Sequence, residues 1–539
     1  MSRASASGTA ARVVVAGALY AACFPPTPSG VGLVLAWIAP ALLYLVLRDR
    51  GPGAAAALAA LWAAVATLCV VRWIVPTLHG HYEWSLAASL GFLVGLAAVS
   101  AAPFFALAFG LARLGARAPL SPALFAAAFV AAELLRGQLG LQSPWAPLGA
   151  SQAPAERIRQ IADLTGVYGV SALVAFVSAA LAAALTGRRA RRGRGSLAAA
   201  AVALLLALLY GQWRIDALDA RARSDAPALE VALVQGNLGS ELRWRRSQSS
   251  RVLRRYGGLT RDAIAGVGPG ASERPRPDLV VWPENAIQTP VDDPTYARPL
   301  FALARGAPLL FGAPRPERAG DLAGSFNSAH LIQRDGHVST YDKRRLLPFG
   351  ETRPLGALPG LGPRGDLDAE QWLAGRQPGV FVLDGRRLGV LICLEALYPE
   401  LARDAVRDGA ELLVNLSNDG WFAGPGGREQ HFAQSVFRAV ETRRPLLRAT
   451  PTGISAVFSP GGAVEARLPE ATAGVLRARV AWPSLPPSLY AQTGDVFAIG
   501  CVLACAFPAA RRAALAARRR PAHVQDARGS ESDGRRRIA

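Results

Sequence analysis

One cysteine, Cys393, closes the apolar run Leu388-Gly389-Val390-Leu391-Ile392 and is followed by Leu394 and Glu395, downstream of Trp282-Pro283-Glu284 and Tyr341-Asp342-Lys343. A thiol is a poor nucleophile until a base takes its proton, and a carboxylate held beside it in a dry pocket can be that base. Glu284 is the candidate. A lysine ammonium, together with the backbone N–H just past the cysteine, can then stabilise the oxyanion of a tetrahedral intermediate. Lys343 is the candidate for that. Taken singly, a free cysteine at the end of a buried strand is ordinarily a small core hydrophobe, and a lone glutamate or lysine a solvated charge. The shared context changes the reading, because each of the three follows a strand-like run: 278–282, 337–341 and 388–392.

The elements that must position them belong to a chain of two characters. Of 539 residues 51% are hydrophobic, and Ala and Leu dominate roughly the first 200. Residues 13–47 carry no charge and are interrupted only by Pro25-Pro26-Thr27-Pro28-Ser29-Gly30, which predicts two spans. Further charge-free runs occupy 54–71, 85–112, 118–132, 164–187 and 196–213, with one more at 496–510. A helix needs roughly 20 apolar residues to cross a bilayer, so the runs at 118–132 and 496–510 are short for it. A signal peptide is the alternative for the first run, since Ala21-Ala22-Cys23 faintly resembles a lipoprotein cleavage site. Tyr20 stands where that site wants an aliphatic residue, however, and the apolar run resumes beyond the prolines.

Lys and Arg stay on the cytoplasmic side of a membrane. With the N-terminus inside, alternate gaps should be basic, and they carry Arg48 and Arg50, then Arg113 and Arg117, then Arg188, Arg189, Arg191, Arg192 and Arg194. Eight spans with both termini cytoplasmic satisfy the rule and put the long polar stretch outside. The domains expected are a membrane part of seven spans at 1–214, an extracytoplasmic domain at 215–492, an eighth span at 493–512 and a basic tail at 513–539 without fixed structure. The net charge of +20 sits at membrane edges and in the tail, which suits anionic phospholipid headgroups rather than nucleic acid. Cys23, Cys69, Cys501 and Cys505 fall in predicted spans, leaving Cys393 without a disulfide partner in its domain. An unpaired thiol in an oxidising compartment is a liability unless it is used. His330, His337 and His431 show no metal-binding spacing, so no metal and no other cofactor is expected.

Within the polar stretch, strand-like runs at 229–235, 279–282, 309–313, 330–333, 388–392, 412–416, 452–458 and 475–480 alternate with helical ones at 251–265, 399–408 and 430–442. That alternation predicts an α/β layered sandwich.

The order Glu284, Lys343, Cys393 resembles the nitrilase signature, and longer words narrow the resemblance. They are Glu133-Leu134-Leu135-Arg136, Ser143-Pro144-Trp145 and Gly149-Ala150-Ser151-Gln152 in the membrane part; then Val234-Gln235-Gly236-Asn237 with Trp244, Phe326-Asn327, Leu347-Pro348-Phe349-Gly350-Glu351, Asn415 through Phe422, and Arg448-Ala449-Thr450. With them the chain, from about residue 11 to 512, resembles the apolipoprotein N-acyltransferases of the bacterial inner membrane. The resemblance implies a multi-pass α-helical membrane domain of about eight spans plus a nitrilase-like αββα sandwich on the periplasmic side. It also implies a two-step acyl transfer. Cys393 takes an acyl chain from a phospholipid, typically phosphatidylethanolamine, as a thioester, and the α-amino group of a lipoprotein's diacylglyceryl-cysteine then receives it. Glu351 would orient Lys343, Glu395 and Asn327 would support the site, and Trp244 and Trp421 would flank the way in for acyl chains.

One departure is Leu394, where the family usually has an aromatic residue; its N–H can still serve the oxyanion, but packing near the acyl chain must differ. A membrane-tethered nitrilase-like amidase or other C–N hydrolase is the rival enzyme, against which seven preceding spans weigh. A transporter with an external binding domain is the non-enzyme rival, against which the scarcity of charge within the runs weighs.

Overall fold

The computed structural model describes residues 3–114, 118–186, 190–222, 227–239, 248–267, 275–319, 322–352, 372–482 and 484–518; Trp244 and most of the basic tail lie outside them. Every apolar run forms helix: Arg3–Ala21, Ser29–Leu35 with Ala39–Leu47, Pro52–Val70, Leu86–Ser100 with Ala102–Leu114, Pro122–Gln138, Val167–Thr186, Ala190–Ala222 and Val496–Arg518. Among the described residues, five segments are long and apolar enough to cross a membrane: Ser29–Leu47, Pro52–Val70, Leu86–Leu114, Val167–Thr186 and Gly193–Arg221. Their outer faces expose Leu90, Val94, Val202, Leu206 and Leu209, as expected of helices whose surroundings are lipid rather than water.

Two features differ from the expected pattern. Helix Ala190–Ala222 runs through position 214 without a break. A short helix, Ile74–Gly80, lies between the third and fourth runs, where the sequence suggests a plain connection. Three residues of its seven are Pro76, His79 and Gly80, and so short a helix has no amphipathic period to read.

The polar stretch folds into two stacked sheets. Their strands are β1 (Ala228–Gln235), β2 (Leu279–Val281), β3 (Leu309–Ala319), β4 (Leu322–Ile332), β5 (Val338–Asp342), β6 (Trp372–Leu373) and β7 (Val380–Leu383). The series continues with β8 (Arg386–Ile392), β9 (Leu412–Leu416), β10 (Leu446–Ala449), β11 (Ala456–Phe458), β12 (Val464–Arg467) and β13 (Gly474–Ala481). One sheet has the order β13-β1-β2-β3-β4-β5, with β6 on β4; the other has the order β12-β11-β10-β9-β8-β7. Period-two alternation explains the stacking. Leu229, Val231 and Leu233 of β1 lie in the core between the sheets, to which β8 contributes Leu388, Val390 and Ile392, while Ala232 and Val234 turn outward to the helix Ser249–Ala265. The result is an αββα sandwich. Strands β1, β2 and β3 run parallel, as do β8, β9 and β10, so each sheet presents strand ends, where α/β folds place their sites.

The helix Pro294–Gly306 and strands β7, β10 and β12 were not foreseen in the sequence. β10 shows why, since its Leu446-Leu447 pair is followed at once by Arg448, a charge that only the folded interior accommodates.

Helix Gly427–Thr442 is one of the elements that join the sandwich to the membrane helices, and its Gln430 makes four of the hydrogen bonds that cross. Gln430 Oε1 accepts from Trp73 Nε1 (3.2 Å) and Trp145 Nε1 (2.7 Å), and its Nε2 donates to the carbonyls of Pro25 (2.6 Å) and Val70 (3.1 Å). Gln430→Leu keeps the volume but strands two carbonyls and two indole N–H groups. At roughly 1–3 kcal/mol for each buried orphan it should cost at least about 3 kcal/mol of stability. Thermal unfolding of the detergent-solubilised chain checks this, and an unchanged midpoint would show that the clamp contributes nothing.

Candidate active site

Trp282-Pro283-Glu284 leaves β2 with the indole anchored by its Nε1 donating to Thr260 Oγ1 (2.9 Å). Gly312 of β3 passes beneath: a Cβ there would lie 2.8 Å from the Glu284 Cα, so glycine is what lets the strand approach. Glu284 is thereby buried, and its Oε1 accepts from Asn327 Nδ2 (2.8 Å) and Lys343 Nζ (3.2 Å). Lys343 follows β5, and its backbone N–H donates to the Asn327 carbonyl (2.9 Å). Its Nζ also donates to Glu351 Oε1 (2.9 Å), which accepts from Asn327 Nδ2 as well (2.9 Å). Asn327 therefore holds both carboxylates around one ammonium. Burial alone would push the Lys343 pKa down, but Glu284 and Glu351 hold it well above the ordinary value, so the ammonium stays charged.

Cys393 is buried 7% exposed at the end of β8, with φ +53°, a left-handed conformation that turns the chain sharply into the short helix Cys393–Leu397. Burial, then the charge of Glu284, push its thiol up, while Lys343 and the Asn418 backbone N–H pull the other way. Burial and Glu284 thus favour the protonated thiol.

Glu395 serves the turn rather than the cavity. One carboxylate oxygen accepts from the Arg344 and Arg345 N–H groups (2.7 and 3.1 Å), the other from the Ile392 N–H (2.7 Å), and both meet the Tyr341 hydroxyl (2.9 Å). It thus ties the cysteine turn to the strand that delivers Lys343.

A second support was missed in the sequence. Asn415 Nδ2 donates to the carbonyls of Cys393 (3.1 Å) and Leu391 (3.2 Å), and its Oδ1 accepts from Arg448. Arg448 also donates to both Asp419 oxygens (2.9 Å each), and His431 Nδ1 lies 3.1 Å from Asp419. All four are buried. Burial opposes the charge on Asp419, yet Arg448 and His431 hold its carboxyl well below the usual range, while burial and Arg448 push His431 down. Asn415 through Phe422 and Arg448-Ala449-Thr450 were legible as words, but the ion pair between them spans two strands.

Glu284, Lys343, Glu351 and Cys393 line one cavity of about 1130 Å³, mouth included. The remaining wall is mainly apolar, with Trp73, Ile74, Leu78, Tyr82, Trp84 and Phe92 from the membrane part and Leu347, Pro348, Phe349, Trp372 and Phe422 from the sandwich. Leu394 and Trp421 line it too, and Trp421 stacks on Tyr82 (5.7 Å between ring centres). Of the expected site residues, Asn327 and Glu395 stand behind the wall, and Trp244 lies outside the described residues. The arrangement offers a thiol, a carboxylate to take its proton, a fixed cation for an oxyanion and a mainly apolar cavity around them.

Residues 230–485 match the family model described as carbon-nitrogen hydrolase, and residues 16–180 match that of the apolipoprotein N-acyltransferase N-terminal domain. The apolipoprotein N-acyltransferase of Geobacter metallireducens is 34% identical over 524 residues, covering 95% of this chain and 96% of the relative. That of Pseudomonas aeruginosa PAO1 is 32% identical over 461 residues, covering 83% and 85%. Among solved structures, Saccharomyces cerevisiae Nit3, of branch 10 of the nitrilase superfamily, aligns with 20% identity and a TM-score of 0.36, covering 47% of this chain and 90% of Nit3.

Proposed function

The chain belongs to the apolipoprotein N-acyltransferase family, and we propose that it N-acylates lipoproteins in two steps, taking a fatty acyl chain from a phospholipid onto Cys393 and passing it to the α-amino group of a diacylglyceryl-cysteine. The observation that carries this reading is the cavity itself, which Glu284, Lys343 and Cys393 share with Ile74 and Leu78 of the short helix Ile74–Gly80 and Phe92 of the apolar helix Leu86–Ser100. A hydrolase of small soluble amides has no use for such a wall.

In the first step Glu284 takes the thiol proton as sulfur attacks the ester carbonyl carbon. Lys343 Nζ and the Leu394 N–H then stabilise the developing negative charge, while the Asn418 N–H faces the sulfur. Collapse expels the lysophospholipid alkoxide, which takes the proton from Glu284. In the second step the amine attacks the thioester and Glu284 receives its proton. Phosphatidylethanolamine is the donor proposed.

The site requires the sandwich to lie where lipoproteins are matured, on the periplasmic face of the inner membrane. Residues 1–214 would cross seven times, 215–492 would form the catalytic domain, 493–512 would return to the cytoplasm and 513–539 would remain there. Support comes from helix at every apolar run and from the arginines in alternate gaps. Purified chain incubated with phosphatidylethanolamine and a diacylated lipopeptide should yield triacylated peptide and lysophospholipid in equal amounts by mass spectrometry. Release of free fatty acid with no triacylated peptide would favour the hydrolase.

A further inference from the structure

Asn285 follows Glu284 directly, is 3% exposed and lines the same cavity as Cys393. Its φ is +45°, a left-handed conformation that asparagine tolerates better than most side chains but still one the fold has to impose. Its carbonyl accepts from Gln288 Nε2 (3.3 Å), but its side-chain Oδ1 has no hydrogen-bond partner among the described residues. A buried, unsatisfied carboxamide oxygen is costly and calls for an explanation.

The donors and acceptors around the cavity supply one. Lys343 Nζ is a donor suited to an oxyanion, and the Asn418 N–H is a donor that faces the Cys393 sulfur. Among carboxylate oxygens, Glu284 Oε1 and Glu351 Oε1 each accept twice, and Glu351 Oε2 accepts from the Leu347 N–H (2.7 Å). Two cavity residues keep an unpartnered buried acceptor, Glu284 through Oε2 and Asn285 through Oδ1, and they are adjacent in the chain. An ester brings no hydrogen-bond donor to the reacting centre; an attacking amine brings at least two.

We infer that Asn285 is a substrate-contacting residue of the second half-reaction, its Oδ1 accepting one N–H of the incoming α-amine while Glu284 Oε2 takes the proton that must leave. The nitrogen bonds to the thioester carbon, the C–S bond breaks with its electron pair returning to sulfur, and the proton passes through Glu284 to the thiol. Fixing one N–H aims the nitrogen lone pair at the carbon. The inference rests on the two-step reading above.

The test separates the halves. Full-length wild type, Asn285→Leu and Asn285→Gly are given a phospholipid with a fluorescent acyl chain, and acyl-enzyme is followed on gels before and after addition of a diacylated lipopeptide. The glycine variant removes the amide while suiting the left-handed backbone, so it guards against a folding failure of the leucine variant. Acyl-enzyme should form within about twofold of the wild-type rate in the glycine variant. Its discharge to the peptide should slow by about tenfold to a hundredfold, the range for losing one hydrogen bond to a charged or reacting group. Discharge at the wild-type rate, or equal slowing of both halves, would overturn the assignment alone. Absence of acyl-enzyme in the wild type would overturn the two-step reading and this assignment with it.

Discussion

Enzyme given phospholipid but no lipoprotein should accumulate one fatty acyl chain on Cys393, and Cys393→Ser should lose turnover by at least about a thousandfold, as removal of a catalytic nucleophile does. The adduct is expected because the second substrate is absent and an apolar cavity slows hydrolysis. As a thioester it should be released by neutral hydroxylamine, and the mass increase should map to the peptide containing Cys393. Burial and Glu284 already favour the protonated thiol. A serine hydroxyl is intrinsically far less acidic, and a carboxylate is too weak a base to ionise it. A mass increase elsewhere, or none with phospholipid alone, would remove the mechanism.

The second large effect is at Lys343, where Lys343→Arg should lower activity by about 10²–10³, comparable to loss of an oxyanion donor. The ammonium is 2% exposed and sits 3.2 Å from Glu284 and 2.9 Å from Glu351. A planar guanidinium carries the same charge in a wider fork and cannot occupy a space shaped around a point donor. Lys343→Met should be inactive for a further reason. Buried Glu284 and partly buried Glu351 would be left facing one another without a cation, and removing one partner of a buried pair costs about 3–5 kcal/mol. Comparing turnover with thermal unfolding distinguishes the two variants, since the arginine variant should lose activity with a much smaller loss of stability. An arginine variant with most of its activity would mean that Lys343 does not stabilise the oxyanion.

The Gln430 clamp gives the site's membrane wall a physical basis. Trp73 begins the short helix region that supplies Ile74 and Leu78, and its indole bonds to the residue next to His431, which touches Asp419. The loop Asn418–Phe422, whose N–H faces the thiol, thus shares a hydrogen-bonded framework with the membrane part. That apolar wall residues and Cys393 belong to different parts of the chain is compatible with a fixed geometry because Gln430, His431, Asp419 and Arg448 are buried and hydrogen-bonded to one another or to the membrane part.

What the sequence determined by itself was whatever depends on short stretches of chain. Charge-free runs report membrane helices because hydrocarbon excludes charge. The runs ending at Trp282, Tyr341 and Ile392 report strands, and Glu284, Lys343 and Cys393 follow them, so candidate reactive groups could be named before any fold was known, and all three line one cavity. Only the tertiary structure decided which way each supporting group faces. Glu351 shares the Lys343 ammonium, but Glu395 spends its oxygens on backbone N–H groups behind the turn. Arg448, an unlikely strand residue by composition, is buried because Asp419, two strands' worth of chain away, neutralises it. Asn285 reads as an ordinary turn residue until its neighbours are known: β3 passes close to its backbone N at Gly312, and its Oδ1 has no partner among the described residues. Pairing of buried polar groups is set by contacts between residues tens to hundreds of positions apart, and no local pattern encodes it.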